Sequence, residues 1–234
     1  MWALCLLGYG RPVKISVIIP TFDELEWISG ALESAMVPGI EVLVVDGGSR
    51  DGSALRARQT GVRVLAAGRG RGQQLARGVE ATRGEVLLFL HADTRLPRGW
   101  PRMLREALAD PAVVGGAFRF CFDGTGVGLG VLTWGARLRG SLLRLPYGDQ
   151  ALFVRRSVLE AIGGVPRVPI MEDLDLVREM KRRGRIVLLR APAVTSARRH
   201  LEEGVLKTAS IHVLALLAWH LGVDRSRIAA WLRG

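Results

Sequence analysis

Four acidic positions in this chain fall where apolar runs end or helical periodicity begins: Asp23-Glu24, Asp46, Asp93 and Glu172-Asp173. A carboxylate at the end of a buried strand can hold a divalent cation against a phosphate. Mg²⁺ typically takes one or two carboxylates together with phosphate oxygens. Asp93 has the clearest setting. It lies in the stretch Glu85 to Leu96, EVLLFLHADTRL, in which Val86 to Leu90 form a continuous apolar run. Such a run reads as a parallel strand covered on both faces, and open α/β sheets bind ligands beyond the carboxyl ends of their strands. Each acid also has a bland reading. Asp93 could cap a turn, Asp46 could shape the DGGS turn, and Asp23 and Glu24 could favour a helix amino terminus. Three of the four sites follow successive predicted strands of one sheet, however, so they should converge along one edge.

The run Gly68-Arg69-Gly70-Arg71-Gly72 is the second chemical feature. Glycine amides and the guanidinium forks of Arg69 and Arg71 at the start of a helix suit phosphate oxygens. A flexible solvated loop is the competing reading. The run is not a dinucleotide fingerprint, because it follows the third predicted strand, and it lacks the lysine of a P-loop.

These residues need a scaffold, and the hydrophobic pattern supplies one. Strands are expected over Lys14 to Ile19, Glu41 to Val45, Val62 to Leu65 and the run from Glu85. Helical spacing of Leu25, Ile28, Leu32 and Ala35, a helix opened by Asp51-Gly52-Ser53, and one entered from the loop Gly68 to Gly78 alternate with them. This alternation predicts an α/β fold with a mostly parallel sheet and helices on both faces. Past Pro101 the pattern changes. A short helix is expected over Met103 to Leu108, and Val113 to Phe122 alternates with Phe118, Phe120 and Phe122 on one face. An apolar, arginine-bearing stretch covers Gly124 to Leu145, with Arg137, Arg139 and Arg144. Gly148-Asp149-Gln150 then precedes a strand over Ala151 to Val154. Helices over Ser157 to Ile162 and Met171 to Arg183 and a last strand over Ile186 to Leu189 follow. Residues 204–234 read as one largely apolar helix and a shorter one beginning near Asp224.

The chain has 234 residues, 49% of them hydrophobic, and a formal charge of +11. Lysine occurs only at positions 14, 181 and 207, so nearly all the cations are arginines. The charge suits phosphate-bearing substrates or an anionic membrane surface. With no recognition motif and no interleaved aromatic-basic stretch, nucleic acid is not expected as a partner. Cys5 and Cys121 alone make neither a disulfide framework nor a zinc cluster. The opening MWALCLLGYG has no preceding basic residue and no convincing cleavage site, so residues 1–13 are expected to form an extension before the first strand. No apolar run is long enough to span a bilayer. The expected location is cytoplasmic, or peripheral at the inner membrane surface.

The segments ISVIIPTFDELEWI, VVDGGSRDGS, GEVLLFLHADTRLP, GDQALFVRRSVLEAIGGVP and MEDLDLVREMKRRGR, in that order, resemble glycosyltransferase family 2. The resemblance runs from Lys14 to the carboxyl terminus and implies the GT-A fold. HADTRLP, the GDQ triplet and SARR with its apolar tail are similar to a narrower bacterial subgroup. That subgroup is known as arsenosugar-biosynthesis or radical-SAM/selenodomain-associated glycosyltransferases. The resemblance implies roles position by position. Pro20, Thr21, Asp23 and Glu24 match the segment bordering the nucleotide's base and ribose, and Asp46 matches the carboxylate that contacts the base. Asp93 matches the last acid of the metal-binding DxD motif, with Mg²⁺ or Mn²⁺ as the implied cofactor. Asp173 matches the general base of inverting members, and Asp149, Gln150 and Glu172 fall on the acceptor side. His91 stands where the first DxD acid usually lies. His200 follows Ser196-Ala197-Arg198-Arg199, where many relatives have an aromatic residue; it could contact metal or diphosphate, or simply be packed.

The implied activity is inverting transfer of a sugar from a nucleotide donor, a UDP-sugar, with Arg69 and Arg71 or Arg198 and Arg199 at the phosphates. The acceptor is a small molecule or a lipid-linked one. Two alternatives stand beside this reading: transfer to a lipid or polyprenyl phosphate at a membrane surface, and a non-catalytic nucleotide-sugar binder. The expected organisation is a GT-A domain over residues 1–203 carrying a helical extension, 204–234. That tail is expected to cover the protein's own core or a partner subunit of a homodimer, or to lie at a membrane surface. Lys207, His212 and His220 interrupt it, which argues against a span.

Overall fold

A computed structural model describes residues 13–124 and 148–232. The expected extension before Val13 and most of the stretch from Gly124 to Leu145 lie outside the described residues.

β1 (Ile15–Thr21), β2 (Glu41–Asp46), β3 (Arg63–Ala66) and β4 (Val86–Phe89) are mutually parallel and run side by side as β3-β2-β1-β4. β5 (Thr94–Arg95), β6 (Val113–Phe122), β7 (Phe153–Arg155) and β8 (Arg185–Thr195) continue the same sheet in the order β4-β7-β6-β8-β5. β7 is antiparallel to both β4 and β6, β8 is parallel to β6, and β5 is antiparallel to β8. The helices are α1 (Ile28–Ala35), α2 (Ser53–Gln59), α3 (Arg71–Ala81), α4 (Trp100–Ala107), α5 (Arg156–Ala161), α6 (Glu172–Arg183), α7 (Arg198–Glu203), α8 (Val205–His220) and α9 (Arg225–Trp231).

Side chains alternate across a strand, so a continuous apolar strand feeds two layers. Val17, Ile19 and Leu88 pack with Ile28, Leu32 and Trp100 on one face. Ile18, Leu87 and Phe89 pack with Leu75, Val177 and Met180 on the other. Full burial of each such Leu or Ile contributes about 1.5–3 kcal/mol. This α/β arrangement is the one the hydrophobic pattern predicts.

Three local expectations change. The glycine-rich run Gly68 to Gly78 is mostly helix, since α3 starts at Arg71. Gly78 is there because a Cβ would collide with Ile18 of the sheet, and Gly72 because one would collide with the Pro166 carbonyl. Close helix packing, not loop flexibility, requires them. Leu25 does not begin α1. It is exposed in a turn, its N–H donating to Asp51 Oδ2 at 2.8 Å. The last strand runs well beyond Leu189, because Pro192 to Thr195 pair with Arg119 to Phe122 after a shift in register.

Two adjacent arginines tie the layers together. Arg155 donates to the carbonyls of Leu108 and Val113 at 2.7 and 2.8 Å, just beyond α4. Arg156 donates to Gly84 O at 2.7 Å, Thr82 O at 2.9 Å and Val79 O at 3.1 Å. It thereby satisfies the Thr82 and Gly84 carbonyls just beyond α3 and adds a bond to Val79. Arg156→Met keeps much of the apolar stem and removes every donor, so it is expected to cost about 2–4 kcal/mol. Denaturant unfolding checks this, and a loss below about 0.5 kcal/mol would contradict the assigned role.

In the tail, Asp224 caps α9 through the amides of Ser226 and Arg227. Ala215, Ala218 and Ile228 pack against Ile170 and Met171, the residues just before α6. Arg225 grips both Asp175 carboxylate oxygens at 2.9 and 3.0 Å. Among the described residues no helix is long and apolar enough to cross a membrane.

Candidate active site

The carboxyl ends of β1, β2 and β4 form one edge, and the loops there are stitched into a crevice. Thr21 O accepts the Gly47 N–H at 2.8 Å, and Gln74 Nε2 donates to both Thr21 O and Val45 O at 2.8 Å. Asp46 is buried and accepts from the Gly48 and Ser49 amides at 3.1 and 3.2 Å and from Ser49 Oγ at 2.5 Å. Asp23 sits at φ 53°, a left-handed conformation that aspartate tolerates better than most residues. It accepts the Arg50 amide at 2.8 Å, while its own N–H goes to Ser49 Oγ at 3.0 Å. The Glu24 N–H donates to Ser53 Oγ at 2.7 Å. Asp51, held below its ordinary pKa, overcomes its slight burial through bonds from Ser53 and from the Leu25 amide. Hydrogen bonds therefore tie the β1 and β2 loops into one unit.

Gln74, Ser49, Asp51 and Ser53 are site-building residues that the motif reading passed over. Gln74 had a signal: a polar residue on the α3 face shared with Arg71, Leu75 and Gly78. Gln74→Leu is expected to lower stability by about 1–3 kcal/mol through the two lost bonds. It should also weaken nucleotide binding, because the β1 and β2 loops lose their tie. Paired unfolding and calorimetry check it; unchanged values in both would contradict the role.

Arg69 and Arg71 part company. The Arg69 guanidinium lies 4.2 Å above the Phe22 ring at the lip of the crevice. Arg71 turns inward to a carboxylate pair at the start of α6. Its Nε bonds Glu172, its Nη2 is 3.4 Å from Asp173 Oδ2, and its Nη1 is 2.9 Å from His91 Nε2. Burial alone would lower the Arg71 pKa, but Glu172 and Asp173 outweigh it and hold the guanidinium above its ordinary value. Burial pushes the Glu172 carboxyl up while Arg71 pulls it back. The Asp173 side chain is 14% exposed against 3% for Glu172, which leaves Asp173 the one open to a ligand. Asp173 Oδ2 accepts the Gly148 amide at 2.7 Å, and Oδ1 accepts the Leu174 amide at 2.9 Å.

Gln150 is buried, with its amide on Phe118 O at 3.3 Å. The Asp149 carbonyl accepts Thr195 Oγ1 at 3.0 Å. Thr195 in turn meets Thr94 Oγ1 at 2.9 Å, so the turn at Asp149 is pinned to the turn that carries Asp93. Asp93 is half-buried, and its carbonyl accepts the Ser196 amide at 3.1 Å. Among the described residues, no group of three His, Cys, Asp or Glu side chains could enclose a metal. A single half-buried carboxylate fits Mg²⁺ or Mn²⁺ whose remaining ligands are phosphate oxygens and water. The His200 ring packs edge-on against Phe122 at 4.8 Å. Arg198 pairs with Glu24 and lies 5.1 Å from the Trp27 ring. Arg199 lies in α7, and its side chain is outside the described residues.

A parallel βα half with carboxylates along its carboxyl edge, joined to a mixed half that brings up a second acidic cluster, is the GT-A arrangement. The family model "Glycosyl transferase family 2" matches residues 16–159, and the chain belongs to that family. The glycosyltransferase AglE of Haloferax volcanii is 31% identical over 169 residues, which are 65% of this chain and 56% of that protein. Glucosyl-3-phosphoglycerate synthase of Mycolicibacterium paratuberculosis is 33% identical over 92 residues, 34% of this chain and 28% of that protein. The chain thus spans 28% to 56% of the length of these two relatives. Among solved structures, the Mycobacterium tuberculosis glucosyl-3-phosphoglycerate synthase with Mn²⁺, UDP-glucose and phosphoglyceric acid superposes with a TM-score of 0.64. That match has 22% identity and covers 91% of this chain and 81% of the other. The likeness establishes the GT-A fold.

Proposed function

We propose that this protein is an inverting glycosyltransferase that takes its sugar from a nucleoside diphosphate donor, a UDP-sugar, and passes it to a hydroxyl acceptor. The observation that carries this reading is Asp173, the more open carboxylate at the start of α6, aimed by the Gly148 amide and by Arg71. In this reading the base and ribose lie along Pro20, Thr21, Asp23, Glu24 and Asp46, with Arg69 at the lip. Asp173 accepts the acceptor's proton as its oxygen attacks the anomeric carbon. The bond from that carbon to the diphosphate breaks, and the electron pair leaves with the nucleotide. Such a base supplies about 10²- to 10⁴-fold. Asp93 would hold Mg²⁺ or Mn²⁺, which when bound neutralises charge on the leaving diphosphate. Arg198 could add to this by exchanging Glu24 for phosphate oxygens, with Arg199 beside it. Asp149, Gln150 and Glu172 shape the acceptor side, and His200 could contact the metal or the diphosphate.

Support for a UDP-sugar and a divalent ion comes from related proteins, since the mycobacterial synthase was solved with both. A second reading, transfer to a lipid or polyprenyl phosphate, draws on the exposed leucines of the tail at 214, 217 and 221. They would meet a membrane surface or a second subunit. The arsenosugar and selenodomain subgroup remains our narrower assignment, on the HADTRLP, GDQ and SARR segments, whose turns meet through Thr94, Thr195 and Asp149.

The test is a thermal-shift screen of nucleotide sugars with and without Mn²⁺, followed by nucleotide release with neutral and phosphate acceptors. Ligand at about a hundred times its Kd stabilises by about 2.7 kcal/mol, so a matching donor stands out. No shift with any UDP compound would defeat the proposal.

A further inference from the structure

The mechanism above leaves His91 without a task, yet its surroundings define one. A guanidinium only donates, so His91 Nε2 is the acceptor in its 2.9 Å contact with Arg71 Nη1. A neutral imidazole in that role carries its proton on Nδ1. Its one in-plane lone pair is then spent on Arg71 and is not available to a cation. Arg71 meanwhile faces carboxylates at Glu172 and Asp173, with Asp149 a further one near enough to act on it. An acid at position 91 would compete with all of these for a single cation. A neutral imidazole completes the fork without competing.

Gly148 closes the arrangement. A Cβ there would lie 3.0 Å from Asp173 Oδ2, 3.2 Å from His91 Nε2 and 3.5 Å from Arg71 Cζ. Three polar side chains therefore crowd one α-carbon, and its own N–H holds Asp173. Apolar walls from Pro20, Leu75, Phe89 and Leu176 surround them, which strengthens each polar contact.

We infer that His91 is a positioning residue and not a metal ligand: its Nε2 turns the Arg71 guanidinium so that one fork holds Glu172 and Asp173 together at the start of α6. This rests on Asp173 being the base, but it can be read without turnover. Nitrogen-15 NMR of the metal-free protein at about pH 8 should show the His91 ring, assigned through His91→Gln, with its proton on Nδ1. A proton on Nε2 would overturn the inference. The Gly148 amide proton reports on Asp173. It should stay in place in His91→Gln, whose carbonyl can replace the acceptor, and shift in His91→Ala. Both variants behaving alike would also overturn it. If His91→Ala does not fold, Arg71→Met replaces it, and His91 should then move its proton to Nε2; retention on Nδ1 would count against the contact. Calorimetry with UDP and Mn²⁺ gives the last arm. His91→Gln should bind within about threefold of wild type, and a larger loss would make His91 a metal ligand. If wild type binds no UDP, the proposed activity fails while the NMR arms still decide the role of His91.

Discussion

Asp173→Asn is expected to lower sugar transfer by at least about a hundredfold while leaving nucleotide affinity near wild type. The change keeps the side chain's shape and one acceptor oxygen. Either the Leu174 or the Gly148 amide therefore retains its bond, now 2.9 and 2.7 Å in length. The other amide faces an NH₂ group, and Arg71, which shares Oδ2 with the Gly148 amide, loses its charged partner. That loss should cost about 1–3 kcal/mol, a melting temperature lower by several degrees, and not unfolding. Activity and stability therefore separate. If Asp173 merely favours the start of α6, a contribution of about 0.3–1 kcal/mol, transfer should survive. A folded Asp173→Asn protein with near-normal turnover would remove the base and shift preference to a phosphate acceptor, which needs little help in losing a proton.

Asp93→Ala is the second large effect. The Asp93 backbone is held from outside its own side chain, by the Ser196 amide and by pairing of Thr94 with Thr195. Among the described residues, its carboxylate receives a 3.4 Å contact from Thr94 Oγ1 alone. Removing it should leave the turn in place and delete the protein's ligand to the cation. UDP affinity measured with Mn²⁺ should then fall to the value measured with a chelator, a loss of about tenfold or more, and turnover should cease. Identical wild-type affinity with Mn²⁺ and with chelator would sink the metal assignment.

The parallel half of the fold and its acidic edge were readable because their signals are local. Val86 to Leu90 is apolar without a break, and the strands from Lys14, Glu41 and Val62 repeat at βα spacing. Parallel order then forces Asp23, Asp46 and Asp93 to the same edge. The mixed half was less legible. β8 reaches Thr195 because its far half finds β6 and β5, and nothing in Arg190 to Thr195 announces those partners.

Residue types and their spacing by themselves determined the α/β alternation, the carboxylates at strand ends and the start of α6 at a Glu-Asp pair. Only the tertiary structure decided what each charge touches. Arg71 and Arg69 look equivalent in a Gly-Arg repeat. Yet Arg69 lies on Phe22, and Arg71 is half-buried against Glu172, far along the chain. His91 stands in the sequence as an isolated residue at the end of a strand, and only the fold brings Arg71 to 2.9 Å from its Nε2. The physical reason is range. Periodicity is set by dihedral angles within a few residues, whereas an ion pair or hydrogen bond depends on a few ångströms between segments. Those distances exist only once β4, β7 and β6 have paired and brought Gly148 and the start of α6 against the end of β4.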